Sequence, residues 1–566
     1  MDRRFRNFLS VPKTLGIAGM LAAIALVGAA PSTGAAPGAN GNKSAPAETL
    51  VGGITAEEYA SQMANLHGWL MKEMPAGVLD RAVVVNLTEQ EKGDLHKRQE
   101  SKEGPAVVGR TKPISEMVRF TPQDSALLSS SPRQVGHGTI QTTPDGGFVW
   151  AMALESAGAG ALRVHIGGLN LPPDADLYFF SPEGQAFGPY SGKGPNGDGQ
   201  FWSNTVFGSK GVVQLRYYGP SAAADLKGIS FSISEVGHVG QKFSQGLVAA
   251  TESFCSFNVP CIENASCHTG TPADPAKSAV ALMQWISGQF IFTCTGGLLN
   301  DTVGTSQIPY FLTANHCLST NGIAANLETY FQFSLPCGSN SCPGQTFPGG
   351  IQRLGASVKA TGTGGDFTLL QLNQMPPAGS VFLGWNSTAV ANTNNTPLYR
   401  ISHPAWAPQA WSSDLVSTSA PTCTGWPRGE RIYSRTQSPG GTEGGSSGSP
   451  VLNASSQVVG QLSGACGTNV NDDCDHVNNA TVDGAFAFYF ASVKPFLDPT
   501  TCVPTAENCS DGIDNDCDNL TDCADPDCSG SPSCIPNCSA KGASCTSNSQ
   551  CCSNKCAGPS GRKTCK

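Results

Sequence analysis

Along the chain the spacing of apolar positions changes twice, and each change marks a different kind of structure. From Thr55 to about Lys102 the spacing is helical: Glu57, Glu58, Tyr59 and Met63 lead into Leu66, Trp69, Leu70 and Met71, with a charged stretch over 89–103. From Gly146 to Val236 the period falls to two. Segments 148–154, 161–166, 176–180, 211–218 and 228–236 alternate or run apolar between Gly, Pro and Asp turns. That spacing predicts a β-sandwich of about 130 residues. From Phe243 onward, short apolar strands at 290–295, 310–313, 367–372 and 458–462 stand between long irregular loops. With no regular helices between the strands, a pair of β-barrels is expected rather than an α/β sheet. A helix-like segment over 485–497 ends at Asp498-Pro499.

Composition sharpens this picture. The charged fraction is 14%, with 66 Gly and 39 Pro, which suits turn-rich β structure. A net charge of -9 offers no basic footprint for nucleic acid. Arg3, Arg4, Arg6 and Lys13 precede an apolar run over 15–30, and small residues follow through Ala36. This is the layout of a secretory signal peptide, so a secreted protein with no membrane attachment after processing is expected. All 22 cysteines lie beyond position 254, and in an exported chain disulfides are their expected state. The cysteine-free first half reads as a module held together without crosslinks. After Pro499, twelve of the 22 cysteines crowd a stretch almost devoid of large apolar residues, which must depend on crosslinks or ions.

Three local signals carry chemistry, in the order His, Asp, Ser. Leu312-Thr313-Ala314-Asn315-His316-Cys317 closes an apolar strand, and Gly365-Asp366-Phe367-Thr368-Leu369-Leu370 is a turn feeding another. Gly445-Ser446-Ser447-Gly448-Ser449-Pro450 is glycine-rich, with Gly440, Gly441 and Gly444 just before it. A serine hydroxyl is a weak nucleophile and needs a neutral imidazole to take its proton. The imidazole in turn needs a carboxylate to fix its tautomer. Glycines around the serine let two amides, those of Gly445 and Ser447, aim at one oxyanion, each donor contributing about 3 kcal/mol to catalysis. A Cys294–Cys317 bridge would pin the histidine to the preceding strand. The α/β-hydrolase elbow is excluded, because Ser449 stands where its second glycine belongs and its triad runs Ser, Asp, His.

Thr313-Ala314-Asn315-His316-Cys317, Asp366-Phe367-Thr368-Leu369-Leu370 and Thr442-Glu443-Gly444-Gly445-Ser446-Ser447-Gly448-Ser449-Pro450 resemble the lysyl endopeptidases, secreted bacterial members of the trypsin-like class. The likeness spans about 255–499, and the preceding residues resemble that family's pro-region more loosely. It implies a chymotrypsin-like double β-barrel and peptide hydrolysis through an acyl-enzyme. It ties Cys255 to Cys466 or Cys474, and Cys261 to Cys337 or Cys342, leaving Cys267 and Cys423 as extras. It places Ser463 and Gly464 on the edge strand that pairs with substrate backbone. The family's pocket acid falls near Thr481, with Asp483 two residues away, while Arg435 stands beside the pocket and disfavours a basic side chain. Activation would follow removal of a pro-region that inhibits the enzyme and assists folding. The cut would fall between Gly240 and Cys255, with Lys242 one candidate.

In the tail, Asp514, Asp516, Asp518, Asp522 and Asp525 fall at positions 1, 3, 5, 9 and 12 of a calcium-type loop, with Leu520 offering its carbonyl. Asn519 replaces the expected glycine there, and an acidic spacer without metal is the alternative. Cys538, Cys545, Cys551, Cys552, Cys556 and Cys565 have the spacing of a knottin. That framework would join Cys538 to Cys552, Cys545 to Cys556 and Cys551 to Cys565, although six cysteines allow other pairings. The expected organisation is thus a signal peptide (1–30), a flexible and helical pro-segment (31–105), a β-sandwich pro-region (106–245), a serine protease (246–499), an Asp/Cys-rich segment (500–535) and a knottin-like module (536–566). The expected function is a secreted serine endopeptidase acting on proteins or peptides, made as a zymogen and cleaving after Lys or Arg. Catalysis needs no cofactor, and calcium would serve the tail alone. The rival reading is an inactive protease fold used for binding or adhesion, with a cystine-knot binding tail.

Overall fold

The computed structural model describes residues 42–240, 257 and 259–499, apart from 102–103, 122, 125–127, 129, 221–225, 304–306, 340–349 and 438–439. In the tail it describes 507–510, 525–528, 542, 544–547, 555–559 and 562–565. The signal sequence, Lys242, Cys255 and Cys342 therefore lie outside the described residues. Among those described, no helix is long and apolar enough to cross a membrane.

Two helices open the chain, α1 (Ala56–Glu73) and α2 (Glu89–Glu100), and both begin with a capping box. Thr55 accepts from the Glu58 amide while the Glu58 carboxylate accepts from the Thr55 amide, and Thr88 and Glu91 repeat the arrangement. Between them the chain turns apolar long enough to pair Val83–Val84 with a sandwich strand. Before α1, where the composition suggests only a flexible lead-in, Ser44–Ala45 and Glu48–Thr49 pair with residues 385–386 and 381–382. Gly384 permits this approach, since a Cβ there would sit 2.5 Å from the Ala45 carbonyl oxygen.

The first half is the β-sandwich that its period-two pattern implies. Strands β1 (Ala106–Phe120), β2 (Phe148–Glu155), β3 (Ala161–Asn170), β4 (Ala175–Phe180), β5 (Lys210–Tyr217) and β6 (Ser230–Val239) supply most of it. β4, β5 and β2 are neighbours in one sheet, and β3, β6 and β1 in the other. Phe120, Phe148, Trp150, Tyr217 and Phe231 fill the space between them as a run of stacked and edge-on rings.

The second half holds two barrels. The first comprises β7 (Val280–Ser287), β8 (Phe290–Leu299), β9 (Tyr310–Ala314), β10 (Glu328–Phe331), β11 (Ile351–Leu354), β12 (Ala356–Gly362) and β13 (Phe367–Leu372). One arm runs β8-β7-β10-β11 and the other β8-β9-β13-β12, and the chain joins them at Gly355, whose φ of 82 only glycine adopts readily. The second comprises β14 (Pro397–Ser402), β15 (Ala410–Val416), β16 (Arg431–Gln437), β17 (Pro450–Leu452), β18 (Val458–Gly467) and β19 (Asn479–Ala485). These pair in the order β18-β17-β14-β15-β16-β19, and a further β18–β19 pairing closes the cylinder. Helix α3 (Phe486–Leu497) follows, packing Phe486, Tyr489 and Phe490 into the core. The fold is mainly β: a double β-barrel behind a sandwich, ahead of a small disulfide-bearing tail.

The two halves share a sheet. β1 pairs with β6 on one side and with β8 on the other, so the second sandwich sheet continues unbroken into the first barrel. Behind the seam, the fully buried Glu328 carboxylate accepts from Asn204 Nδ2 (2.8 Å), Thr205 Oγ1 (2.5 Å), the Thr205 amide (3.1 Å), Tyr330 (3.0 Å) and Gln352 (2.9 Å). Two of these residues belong to the first half.

The tail, from Pro499, is a separate compact unit. Cys509–Cys528 and Cys545–Cys556 are bonded, and Cys556–Ala557 forms a short hairpin with Thr564–Cys565. Asp525 is buried and accepts from the Asp527 amide at 2.7 Å. Asp514, Asp516, Asp518, Asp522, Leu520, Cys538, Cys551 and Cys552 lie outside the described residues.

Candidate active site

The barrels meet where β9 ends, where β13 begins and where the loop between β16 and β17 turns, and these places carry His316, Asp366 and Ser447. A 3-10 turn, Gly364–Asp366, lifts the carboxylate beside the imidazole. Asp366 adopts a φ of 51, uncommon for a residue with a Cβ, so surrounding contacts must hold the turn. Asp366 Oδ2 lies 2.8 Å from His316 Nδ1, and Oδ1 accepts from the His316 amide at 3.0 Å. The Asp366 carbonyl accepts from the Asn315 amide at 3.0 Å. The carboxylate thereby aligns both ring and backbone of the histidine, and leaves Nε2 facing away from it.

Three residues that the sequence does not single out hold this turn. Gln461 Nε2 donates to the carbonyls of Gly365 and Asp366, both at 2.9 Å. Tyr489 donates to Gln461 Oε1 and stacks on Phe367, ring centroids 4.2 Å apart. Gly484 faces the turn with no room for a side chain, since a Cβ would lie 1.8 Å from the Gly365 carbonyl oxygen. A polar residue on a strand otherwise facing a core was the only available signal for Gln461.

Ser447 is half-buried, and its loop is set by Thr295 on β8. The Thr295 amide donates to the Ser447 carbonyl at 2.8 Å, and Thr295 Oγ1 donates to the Gly445 carbonyl at 2.8 Å. Thr295 also accepts from Thr313 through its own carbonyl at 2.9 Å, which ties the serine loop to the strand that ends at His316. Gly448 lets the loop descend onto this point: with φ of 82, a Cβ there would lie 2.2 Å from Thr313 Oγ1. Among the described residues, the amides of Gly445 and Ser447 have no backbone acceptor. No hydrogen bond joins His316 Nε2 to Ser447 Oγ, a contact that in resting enzymes is often long.

Next to the serine, Ser446 points inward, its Oγ accepting from Ser402 at 3.0 Å. His403 is buried behind the loop and stacked on Phe333, and burial holds its imidazole near a pKa of about 4. Ser463 and Gly464 lie on β18 beside the loop. The Gly448 amide donates to the Leu462 carbonyl at 2.8 Å, and Trp426 covers Gly464.

Asp483 requires a correction. Expected beside the substrate pocket, it lies wholly inside the second barrel, its Oδ1 2.5 Å from Arg400 Nη2. Burial first, and the neighbouring Asp414 carboxylate as well, raise its pKa to about 6 against the opposing pull of Arg400. Its strand points residues 481 and 483 inward, toward the Arg400 on β14. Arg435, expected to crowd a basic substrate, instead donates to the carbonyls of His476 and Val477, on the opposite face of β16 from Ser434 and Thr436.

The disulfides also differ from the inherited scheme. Cys294–Cys317 is bonded, next to His316. The nearby Cys294, His316 and Cys317 cluster is no metal site, because its two sulfurs are bonded to each other. Cys261 pairs with Cys474 rather than with Cys337 or Cys342. The reason is that Glu263–Asn264 pairs along β15, carrying Cys261 across the second barrel. Cys337 takes Cys267 instead, drawn together as Asn264 Nδ2 donates to the carbonyls of Pro336 and Ser339 at 3.0 and 3.2 Å. Cys466 is bonded to Cys423 and so is not available to Cys255.

Residues 251–478 match the family described as lysyl endopeptidase, C-terminal domain. The lysyl endopeptidase of Pseudomonas aeruginosa is 28% identical over 410 residues, covering 68% of this chain and 84% of that protein. Secreted RxLR effector protein 73 of Plasmopara viticola is 28% identical over 281 residues, covering 47% of this chain and 64% of that protein. Among solved structures, the HtrA-type protease AlgW with tripeptide aligns with a TM-score of 0.30 at 12% identity, over 40% of this chain and 62% of that one. The Rv3671c protease from M. tuberculosis in its active form aligns with a TM-score of 0.28 at 16% identity, over 45% and 97%. The chain is a serine endopeptidase. Within that class its likeness is to the lysyl endopeptidases.

Proposed function

We propose that the chain is a secreted zymogen that cleaves peptide bonds after Lys or Arg, with Ser447 as nucleophile, His316 as general base and then acid, and Asp366 as the group that orients the imidazole. The observation carrying this reading is the 2.8 Å contact of Asp366 Oδ2 with His316 Nδ1, on a strand end that Thr295 ties to the Ser447 loop. In the first step Ser447 Oγ attacks the scissile carbonyl as Nε2 takes its proton, and the amides of Gly445 and Ser447 receive the oxyanion. The imidazolium then gives its proton to the departing amine, and water repeats the sequence on the acyl-enzyme. A fluorophosphonate probe tests the reading: processed protein labels at Ser447 and Ser447→Ala does not. Processed protein that resists labelling would instead favour a protease-shaped binding protein.

Preference for a basic side chain is supported by the likeness of residues 251–478 to the lysyl endopeptidases. Arg400 faces both Asp483 and Asp414, the latter at 3.7 Å, so two carboxylates meet one guanidinium. Thr436 Oγ1 donates to Asp414 Oδ1 at 2.7 Å and touches Thr481 Oγ1 at 3.1 Å. Arg400, Asp414 and Asp483 are buried and balance one another inside the barrel, so they do not meet the substrate. A peptide-library digest read by mass spectrometry should show cuts after Lys or Arg, and Ser447→Ala should show none.

Secretion follows from the signal-like start, and the cut that frees the catalytic half would fall between Gly240 and Cys255. Calcium, if bound, belongs to the tail through Asp514, Asp516, Asp518, Asp522 and Asp525. A chelator should then loosen the tail toward proteolysis and leave peptide hydrolysis unchanged.

A further inference from the structure

β1 begins at the active site. It pairs antiparallel with β8, Ala106 opposite Thr293 and Val107 opposite Phe292, with Gly109 and Arg110 facing Ile291 and Phe290. Thr293 adjoins Cys294, whose bridge partner Cys317 follows His316. On its other flank, Ala106 rests against the nucleophile loop: its Cβ lies 3.6 Å from where a Cβ at Gly444 would stand. Gly444 precedes Gly445, the first of the two amides proposed to receive the oxyanion.

The pairing is well anchored. Val107 is buried in a cluster with Leu87 and Leu95, packed against Phe290 and Phe292. Arg110 lies over the Phe290 ring at 5.6 Å, and Arg98 over Phe292 at 5.9 Å. The Thr111 amide donates to the Gln289 carbonyl at 2.9 Å. A substrate whose acyl side pairs with β18 at Ser463 and Gly464 must lead its amine side away across Gly444 and the start of β8. That is the ground β1 occupies, and a strand added to a sheet edge gains main-chain hydrogen bonds whatever its sequence.

Resting on the serine-peptidase reading above, we propose that β1 is the inhibitory element of the full chain: residues 106–110, zipped to β8 and seated against Gly444, close the leaving-group side of the cleft while Ser447 stays reachable. Inhibition then comes from occupancy of one half of the substrate path, with the catalytic geometry left intact. Because the strand is tethered, its effective concentration exceeds that of any free peptide competing for the same edge.

Three rates measured on the uncut full chain and on the processed enzyme test this: fluorophosphonate labelling of Ser447, hydrolysis of a p-nitrophenyl ester, which has no residue beyond the scissile bond, and cleavage of an internally quenched peptide with four residues beyond it. The first two should agree between the forms to within about threefold, while the peptide should be slower in the uncut chain by about 100-fold, the advantage a tether confers. In the uncut chain, Val107→Asp should restore peptide cleavage at least tenfold on the same grounds and leave the ester rate alone. Arg110→Ala, which buries no charge, should act in the same direction should Val107→Asp not fold. Parallel loss of ester and peptide activity in the uncut chain would overturn the proposal, as would full-speed peptide cleavage there. Failure of the underlying reading looks different, since processed enzyme would then neither label nor hydrolyse the ester.

Discussion

Gly484 shows how much of the site rests on the absence of a side chain. The Gly365 carbonyl would meet any Cβ there at 1.8 Å, so Gly484→Ala must push the Asp366 turn out of place. The expected outcome is loss of most peptidase activity together with a lower thermal midpoint, read by kinetics and calorimetry on the same sample. Asp366→Asn probes the same turn without moving it. The imidazole loses the carboxylate that fixes its tautomer, and kcat should fall by about four orders of magnitude while the fold is kept. His403 and His238 make a different point about single residues. Burial keeps both neutral, with pKa values of about 4, well below an unfolded histidine. Between those values the unfolded chain binds more protons, so stability is lost as pH falls through 6.5 toward 4. Asp483 works against this trend, since its raised pKa of about 6 makes the folded state take up a proton first. Urea midpoints measured from pH 7 to pH 4 should decline, and His238→Gln should flatten part of that slope.

At the scale of elements, the bridge between β8 and the residue after His316 has a separable role. It closes a loop of 23 residues, and removing it as Cys294→Ala with Cys317→Ala should cost about 3 kcal/mol. Part of the loss should appear in kcat, because β8 also carries Thr295 and so holds the serine loop. Strand identity was largely readable from the chain. The period-two runs from 148 onward and the apolar runs at 367–372 and 310–313 are short, bounded by turn residues and buried on at least one face, the conditions under which local pattern decides structure. The three chemical segments were equally visible, since each sits where an apolar strand meets small residues. Pairings between distant segments were not. Cys261 reaches Cys474 across 213 residues because a two-residue strand happens to run along β15, and nothing in its neighbourhood announces that. Asp483 misled for a different reason: the family likeness puts an acid near this point of the chain, but position along the chain does not tell a cleft from a sealed barrel interior.

Across the whole molecule the chief departure from the sequence picture is that the cysteine-free half does not stand apart. β1 serves two sheets at once, and Glu328 reaches over the seam for donors on Asn204 and Thr205. A buried carboxylate deprived of its donors is penalised by a few kcal/mol. Asn204→Ala with Thr205→Val should therefore lower the urea midpoint of the uncut chain, while leaving the tail's disulfides and the site's own hydrogen bonds untouched. Such a result would place the cost of separating the halves in this one polar knot as much as in strand pairing.

The β8 margin has a consequence beyond catalysis. Were β1 cut away as proposed, residues 290–293 would present bare amides and carbonyls flanked by Phe290 and Phe292, a template any extended chain can copy. A catalytic half freed in this way and kept concentrated should thus drift toward self-association, which light scattering against the uncut chain would read.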